Sequence, residues 1–143
     1  MTAWLIGRYP DRWKAAVAGA APVDLTDMYA LTDLNVMRRH AITDSPFTGD
    51  NLAKYMAMSP ITHLSKARAP TLVMSTTGDV RVVVTGSYKI YHALKDNGVP
   101  VQFVAFPGGG HSPADPVRAL DRDRRWVDWI GRWLDATDKA ASR

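Results

Sequence analysis

Apolar residues gather along the chain in three short runs: "AAVAGAAP" (15–22), "APTLVMSTTGD" (69–79) and "VPVQFVAFPGGG" (99–110). Each contains Val, Phe or Leu, and each ends in turn-forming residues. None alternates strictly between apolar and polar, which predicts strands buried on both faces, as in a parallel sheet covered by helices. Elsewhere the period is helical. Residues 84–97 set Val84, Tyr88, Tyr91 and Leu94 on one stripe, and Gly98 with Pro100 supplies the stop. Residues 116–136 place Leu120, Val127, Ile130 and Leu134 with Trp126, Trp129 and Trp133 on a broad apolar side. Asp121 with Arg125, and Asp128 with Arg132, are spaced to pair at i,i+4. This predicts a helix lying on a sheet, with the tryptophans packed rather than presented to a ligand. Between 23 and 68, short helical patterns break at Pro46, Gly49 and Pro60, which predicts a helical insertion above the strand ends. The order of elements predicts an α/β fold, a parallel sheet of about three strands with right-handed crossovers.

Composition narrows this picture. The 143 residues are 46% hydrophobic and 22% charged, enough for one core, and no repeat, low-complexity tract or Ser/Gly linker suggests a second domain. The formal charge is +4, yet in "RALDRDRRWVDW" arginines alternate with aspartates, which predicts a solvated helix face rather than a nucleic-acid surface. Cysteine is absent, so a disulfide framework and a thiolate metal site are both excluded. No apolar run is long enough to cross a membrane. The opening "MTAWLIGRYPDRWK" lacks the basic region and small-residue cleavage pattern of a signal peptide, so the expected setting is cytoplasmic, with no membrane partner.

Candidate chemistry follows from the strand order. In open parallel sheets, catalytic groups collect at the carboxyl ends of strands. Asp79 follows "TLVMS" and His111 follows "VQFVAF", so two neighbouring strands would aim a carboxylate and an imidazole at one crevice. A carboxylate that accepts from one imidazole nitrogen fixes the tautomer and leaves the other nitrogen free to act as a base. Taken alone, Asp79 after Gly78 also reads as a turn former and His111 as a loop histidine. The glycines before His111 lack the arrangement of a phosphate cradle. His40, His63 and His92 have no metal-ligand spacing, and neither a metal nor a cofactor is expected.

"MTAWLIGRYPDRWKAAV", "SPITHLSKARAPTLVMSTTGDVRV" and "GVPVQFVAFPGGGH", in this order and with a helix between the last two, together resemble the prolyl oligopeptidase family of serine peptidases. The likeness is to the C-terminal part of the family's catalytic domain, notably in its acylaminoacyl-peptidase and dipeptidyl-peptidase branches, and it covers nearly the whole chain. It implies a partial α/β-hydrolase fold over residues 1–143. It also implies that Asp79 is the counterpart of the triad aspartate, Arg81 of the arginine beside it and His111 of the triad histidine, with a peptide or ester as substrate.

Two departures matter. Where relatives carry a proline and then a glutamine, "VRVVVTGSY" has Val83 and Gly86, which predicts a looser loop around Asp79, since glycine in a helix costs roughly 1 kcal/mol. More importantly, no G-x-S-x-G nucleophile turn is present, and the resemblance begins just after it. Ser45, Ser59, Ser65, Ser75, Ser87 and Ser112 all lack the glycine-flanked turn, and the oxyanion-hole donors and the family's N-terminal propeller also lie outside these residues. The expectation is an acid and a base without their nucleophile, inactive alone. It is either part of a complemented hydrolase or a non-catalytic module that self-associates into a homo-oligomer through the exposed sheet edge next to 15–19.

Overall fold

A computed structural model describes residues 1–141, without the side chains of 38, 39 and 136–141. Three parallel strands form one sheet in the order β1-β2-β3: β1 is Ala16–Gly19, β2 is Thr71–Gly78 and β3 is Val101–Gly109. All three lie inside the predicted apolar runs, but β1 is far shorter than its run. Six helices accompany them: α1 (Thr2–Arg8), α2 (Leu25–Ala30), α3 (Asn35–Ala41), α4 (Asn51–Met58), α5 (Thr85–Asp96) and α6 (Pro116–Ala141). Short 3₁₀ segments run over Pro10–Arg12 and Pro60–Lys66. Among the described residues no helix is long and apolar enough to cross a membrane.

Alternation along the strands divides the core into two layers. Ala16 and Ala18 of β1 and Val73 of β2 face α1 and α5, where Ala3, Ile6, Ile90 and Leu94 close over them. Leu72 and Met74, one position out of phase with Val73, pack with Phe106 against Trp129 of α6. β2 is buried on both faces, as a central parallel strand must be, whereas β1 and β3 are edges.

The insertion between β1 and β2 is helical as predicted, and its joints are polar and buried. Asp24 caps α2, its Oδ1 accepting from the backbone N–H of Thr26 at 2.9 Å. Ser59, fully buried, donates to the carbonyl of Tyr55 at 2.7 Å and accepts from the N–H of Leu25 at 2.9 Å, tying the end of α4 to the start of α2.

Three expectations are corrected. The buried face of α5 is Gly86, Ser87, Ile90 and Leu94, not the stripe through Val84, Tyr88 and Tyr91. Tyr88 and Tyr91 instead flank Phe103 of β3, with ring centroids 5.1 and 6.3 Å away, and Tyr88 is half-exposed. Gly86 is not a loosening residue, because α5 packs so closely on the chain leaving β1 that a Cβ there would lie 2.8 Å from the carbonyl oxygen of Ala21. On α6 only part of the broad apolar side meets the sheet: Trp129 is buried and Ile130 and Trp133 partly so, while Leu120, Trp126, Val127 and Leu134 stay exposed. The predicted Asp121–Arg125 pair forms at 2.8 Å.

Lys89 of α5 reaches across to α2, its Nζ 2.7 Å from Asp24 Oδ2 and 2.8 Å from Asp27 Oδ2, and Thr85 donates to Asp27 at 3.0 Å. Burial pushes the Asp24 carboxyl up, but the hydrogen bonds from Lys89, Thr26 and Asp27 outweigh it and hold the pKa below the ordinary 3.8. Burial pushes Lys89 down, and its two carboxylate partners reverse this, raising it above 10.5.

Replacing Gly86 by Ala will destabilise the protein by about 1–3 kcal/mol in a denaturant titration, because backbone must move. A gain near 1 kcal/mol, the helix-propensity expectation, would show that the contact is slack. Asp24→Ala will cost about 1–2 kcal/mol near pH 7 through the lost cap and ion pair. The lowered Asp24 pKa makes its stabilisation present above about pH 4 and lost as pH falls through the folded value. The raised Lys89 pKa makes its share present below about pH 10.5 and lost above. The difference in thermal midpoint between parent and Asp24→Ala will therefore narrow in acid, and a constant difference down to pH 2.5 would count against the ion pair.

Candidate active site

Asp79 is the residue directly after β2, and its carboxylate is fully buried. Oδ1 accepts from the backbone N–H groups of Arg81 at 2.8 Å and Val82 at 2.9 Å, so the side chain organises the turn that follows it. Oδ2 points the other way and lies 2.8 Å from Nδ1 of His111. An ionised carboxylate can only accept, which assigns the proton between them to Nδ1; in the neutral imidazole that leaves Nε2 with a free lone pair. The turn-former and the histidine-facing readings of Asp79 are thus both realised, one by each oxygen. The His111 ring is about half-exposed, with a side-chain accessibility of 53%, and among the described residues this is the one hydrogen bond it makes.

The glycines of "FPGGGH" explain how the two groups meet. Between Thr76 and Gly78 of β2 the facing strand β3 carries one extra residue, a bulge at Pro107–Gly108. There the backbones press together: a Cβ on Gly78 would lie 2.7 Å from the carbonyl oxygen of Gly108, while Gly108 and Gly110 take φ of 127° and 88°, which side chains disfavour. The loop is then pinned at two points. Thr76 Oγ1 donates to the carbonyl of Gly110, and Arg118 Nη1 donates to the carbonyl of Pro107 at 2.7 Å. These glycines fix the approach of His111 to Asp79.

The predicted looseness of the acid loop through Val83 is also corrected. Residues 32 and 33, at the turn after α2, hold it in place. Thr32 Oγ1 donates to the carbonyl of Arg81 at 2.8 Å, the N–H of Asp33 donates to the carbonyl of Val80 at 2.9 Å, and Arg81 grips the Asp33 carboxylate through Nε and Nη2 at 2.7 and 2.9 Å. The guanidinium holds the Asp33 carboxyl below its ordinary pKa and is itself raised by that partner. Nothing in the sequence pattern pointed to Thr32 or Asp33, since only the folded insertion brings them to Arg81.

Beside His111 lies an open cavity of about 450 Å³ over the carboxyl ends of β1 and β2, walled by Gly19, Ala20, Ser75 and Thr76 and, from α6, by Arg122 and Trp126. Ala20 turns the chain away from it with φ of 40°. The Ser75 hydroxyl is buried and has no hydrogen-bond partner among the described residues. Ser112 also lines the space, whereas Ser59 and Ser87 are buried in helix packing away from it.

Comparison with known proteins identifies the family and the fold. A family model described as the prolyl oligopeptidase family matches residues 1–137. An acylamino-acid-releasing enzyme of Arabidopsis thaliana is 32% identical over 140 residues, covering 93% of this chain and 18% of that enzyme. A dipeptidyl-peptidase 5 of Porphyromonas gingivalis is 26% identical over 133 residues, covering 92% and 19%. Among solved structures, the acylaminoacyl peptidase of Pyrococcus horikoshii superposes with a TM-score of 0.84 at 26% identity, over 94% of this chain and 22% of that one. The chain thus spans about a fifth of the length of these relatives. Its three parallel strands and covering helices are a partial α/β-hydrolase fold, and the chain belongs to the prolyl oligopeptidase family.

Proposed function

We propose that this chain supplies the acid and the base of a serine peptidase or esterase whose nucleophile comes from a segment outside residues 1–143. The observation that carries this reading is the 2.8 Å bond between buried Asp79 and half-exposed His111 at the carboxyl ends of adjacent strands. In this reading Nε2 of His111 takes the proton of the serine hydroxyl as its oxygen attacks the substrate carbonyl, and Asp79 stabilises the imidazolium that forms. The same nitrogen then protonates the leaving amine or alcohol, and finally activates the water that releases the acyl group. Names of relatives support acylated amino acids or dipeptides as the acyl portion of the substrate.

The cavity supports a visiting segment. It opens at the carboxyl end of β1, against Val17 and Gly19, where a strand with one unpaired edge is available to an incoming segment. Without the serine and the oxyanion N–H donors that accompany it, His111 has nothing to activate.

A second reading is favoured by the surface. The open edge of β1 and, on α6, the exposed Leu120, Val127 and Leu134 are unpartnered surfaces suited to a further copy of the chain, which makes self-association the alternative role.

The purified chain will hydrolyse neither p-nitrophenyl acetate nor an acylaminoacyl nitroanilide above background. Co-produced with the G-x-S-x-G-bearing part of a relative's catalytic domain, it will gain turnover that His111→Ala reduces by about 10⁶-fold. Turnover by the chain alone that disappears in His111→Ala would reveal a nucleophile within these residues and overturn the proposal. Alone, the chain will sediment as a homo-oligomer, and Val127→Arg will shift it toward monomer. A monodisperse monomer at high concentration would contradict the second reading.

A further inference from the structure

The Asp79 carboxylate does not choose its own direction. Its plane is set by the N–H groups of Arg81 and Val82, both bonded to Oδ1, and the position of those two groups depends on the path of residues 80–82. That path is fixed from outside by the turn after α2. The carbonyl of Val80 accepts from the Asp33 N–H at 2.9 Å, the carbonyl of Arg81 accepts from Thr32 Oγ1 at 2.8 Å, and the Arg81 side chain is held in two places by the Asp33 carboxylate. Thr32 is itself buried and braced, since its hydroxyl oxygen accepts from the N–H of Leu34 at 3.2 Å. Behind it, α2 is locked to α5 by Lys89 on Asp24 and Asp27 and by Thr85 on Asp27. The insertion therefore meets the acid loop along two consecutive carbonyls, with the loop's next helix secured to the same element.

We infer that Thr32 and Asp33 are positioning residues for the acid: by holding the backbone of residues 80–82 they present the Arg81 and Val82 N–H groups to Oδ1 of Asp79 and so aim Oδ2 at His111. Neither residue touches the imidazole, and both act through Asp79. This inference deepens the proposed function and rests on reading Asp79 as the triad acid. Its physical content is the geometry of one carboxylate, which can be measured without any catalysis. The helical insertion, beyond covering the strand ends, is the frame that orients the acid.

Amide hydrogen exchange on the full chain, resolved residue by residue, tests this. In Thr32→Val, which keeps the shape and removes the hydroxyl, and separately in Asp33→Asn, exchange at the Arg81 and Val82 amides will accelerate by about 5- to 10-fold, the equivalent of one weakened hydrogen bond. The amides of β2 from Leu72 to Thr76 will hold their parental rates. Thr32→Ser, which restores the donor, will restore protection. A control Arg68→Gln, which breaks the exposed Arg68–Asp11 pair elsewhere, will leave both amides unchanged. Unaltered exchange at Arg81 and Val82 in both variants would overturn the inference. So would a uniform loss of protection extending through β2, or outright unfolding, because the residues would then be supporting the fold and not the carboxylate. Failure of the complementation assay with selective amide effects intact would reject the catalytic reading and leave the positioning geometry standing.

Discussion

Where β2 and β3 end, their backbones lie in van der Waals contact with no side chain between them. Gly78 faces the carbonyl of Gly108 at a separation that excludes even a methyl group, and the bulge at Pro107–Gly108 lets β3 overshoot by one residue. This close approach is what the rest of the site depends on. It places the residue after one strand beneath the loop after the other, so that a fully buried carboxylate and a half-exposed imidazole share a 2.8 Å bond. The pairing runs unbroken up from the core, from Thr71 opposite Val101 to Thr76 opposite Phe106, before that bulge. The packing below, with Val73 on one face and Leu72 and Met74 on the other, holds β2 from both sides beneath the acid it projects.

Burial of Asp79 gives the pair its asymmetry. A carboxylate withdrawn from water must have its oxygens satisfied, and Oδ1 is satisfied locally by two backbone N–H groups. Oδ2 is left for His111. The imidazole, in contrast, keeps one face toward the cavity over β1, where nothing among the described residues occupies Nε2. The acid is therefore part of the framework and the base is part of the surface, a division suited to a proton carrier that must meet a group brought by another segment.

Much of this was legible in the sequence because strand burial leaves a direct trace. The runs at 69–79 and 99–110 announced β2 and β3, and their turn residues marked the ends from which Asp79 and His111 project. The helical insertion was visible in its breaks at Pro46, Gly49 and Pro60. Other features left no trace, or a misleading one. α1 has seven residues, fewer than two turns, too short for a period to show. On α5 the tyrosines suggested the buried stripe, but small Gly86 and Ser87 are buried there, and at 86 a Cβ would collide with the chain leaving β1. On α6 the apolar arc is wider than the sheet it covers, because β1 is an edge. Val83 and Gly86 suggested a loose acid loop, whereas long-range bonds from Thr32 and Asp33 hold it, and contacts spanning nearly fifty residues cannot be read from local pattern.

Through their 2.8 Å bond, Asp79 holds the neutral His111 ring with its proton on Nδ1 and its lone pair on Nε2. Nitrogen-15 NMR of the imidazole reads this tautomer directly. Neutral His111 will be the Nδ1–H form, with a low-field Nδ1 proton, and Asp79→Asn will abolish both features while the remaining histidines are unchanged. A neutral His111 carrying its proton on Nε2, or a spectrum indifferent to Asp79→Asn, would contradict this assignment.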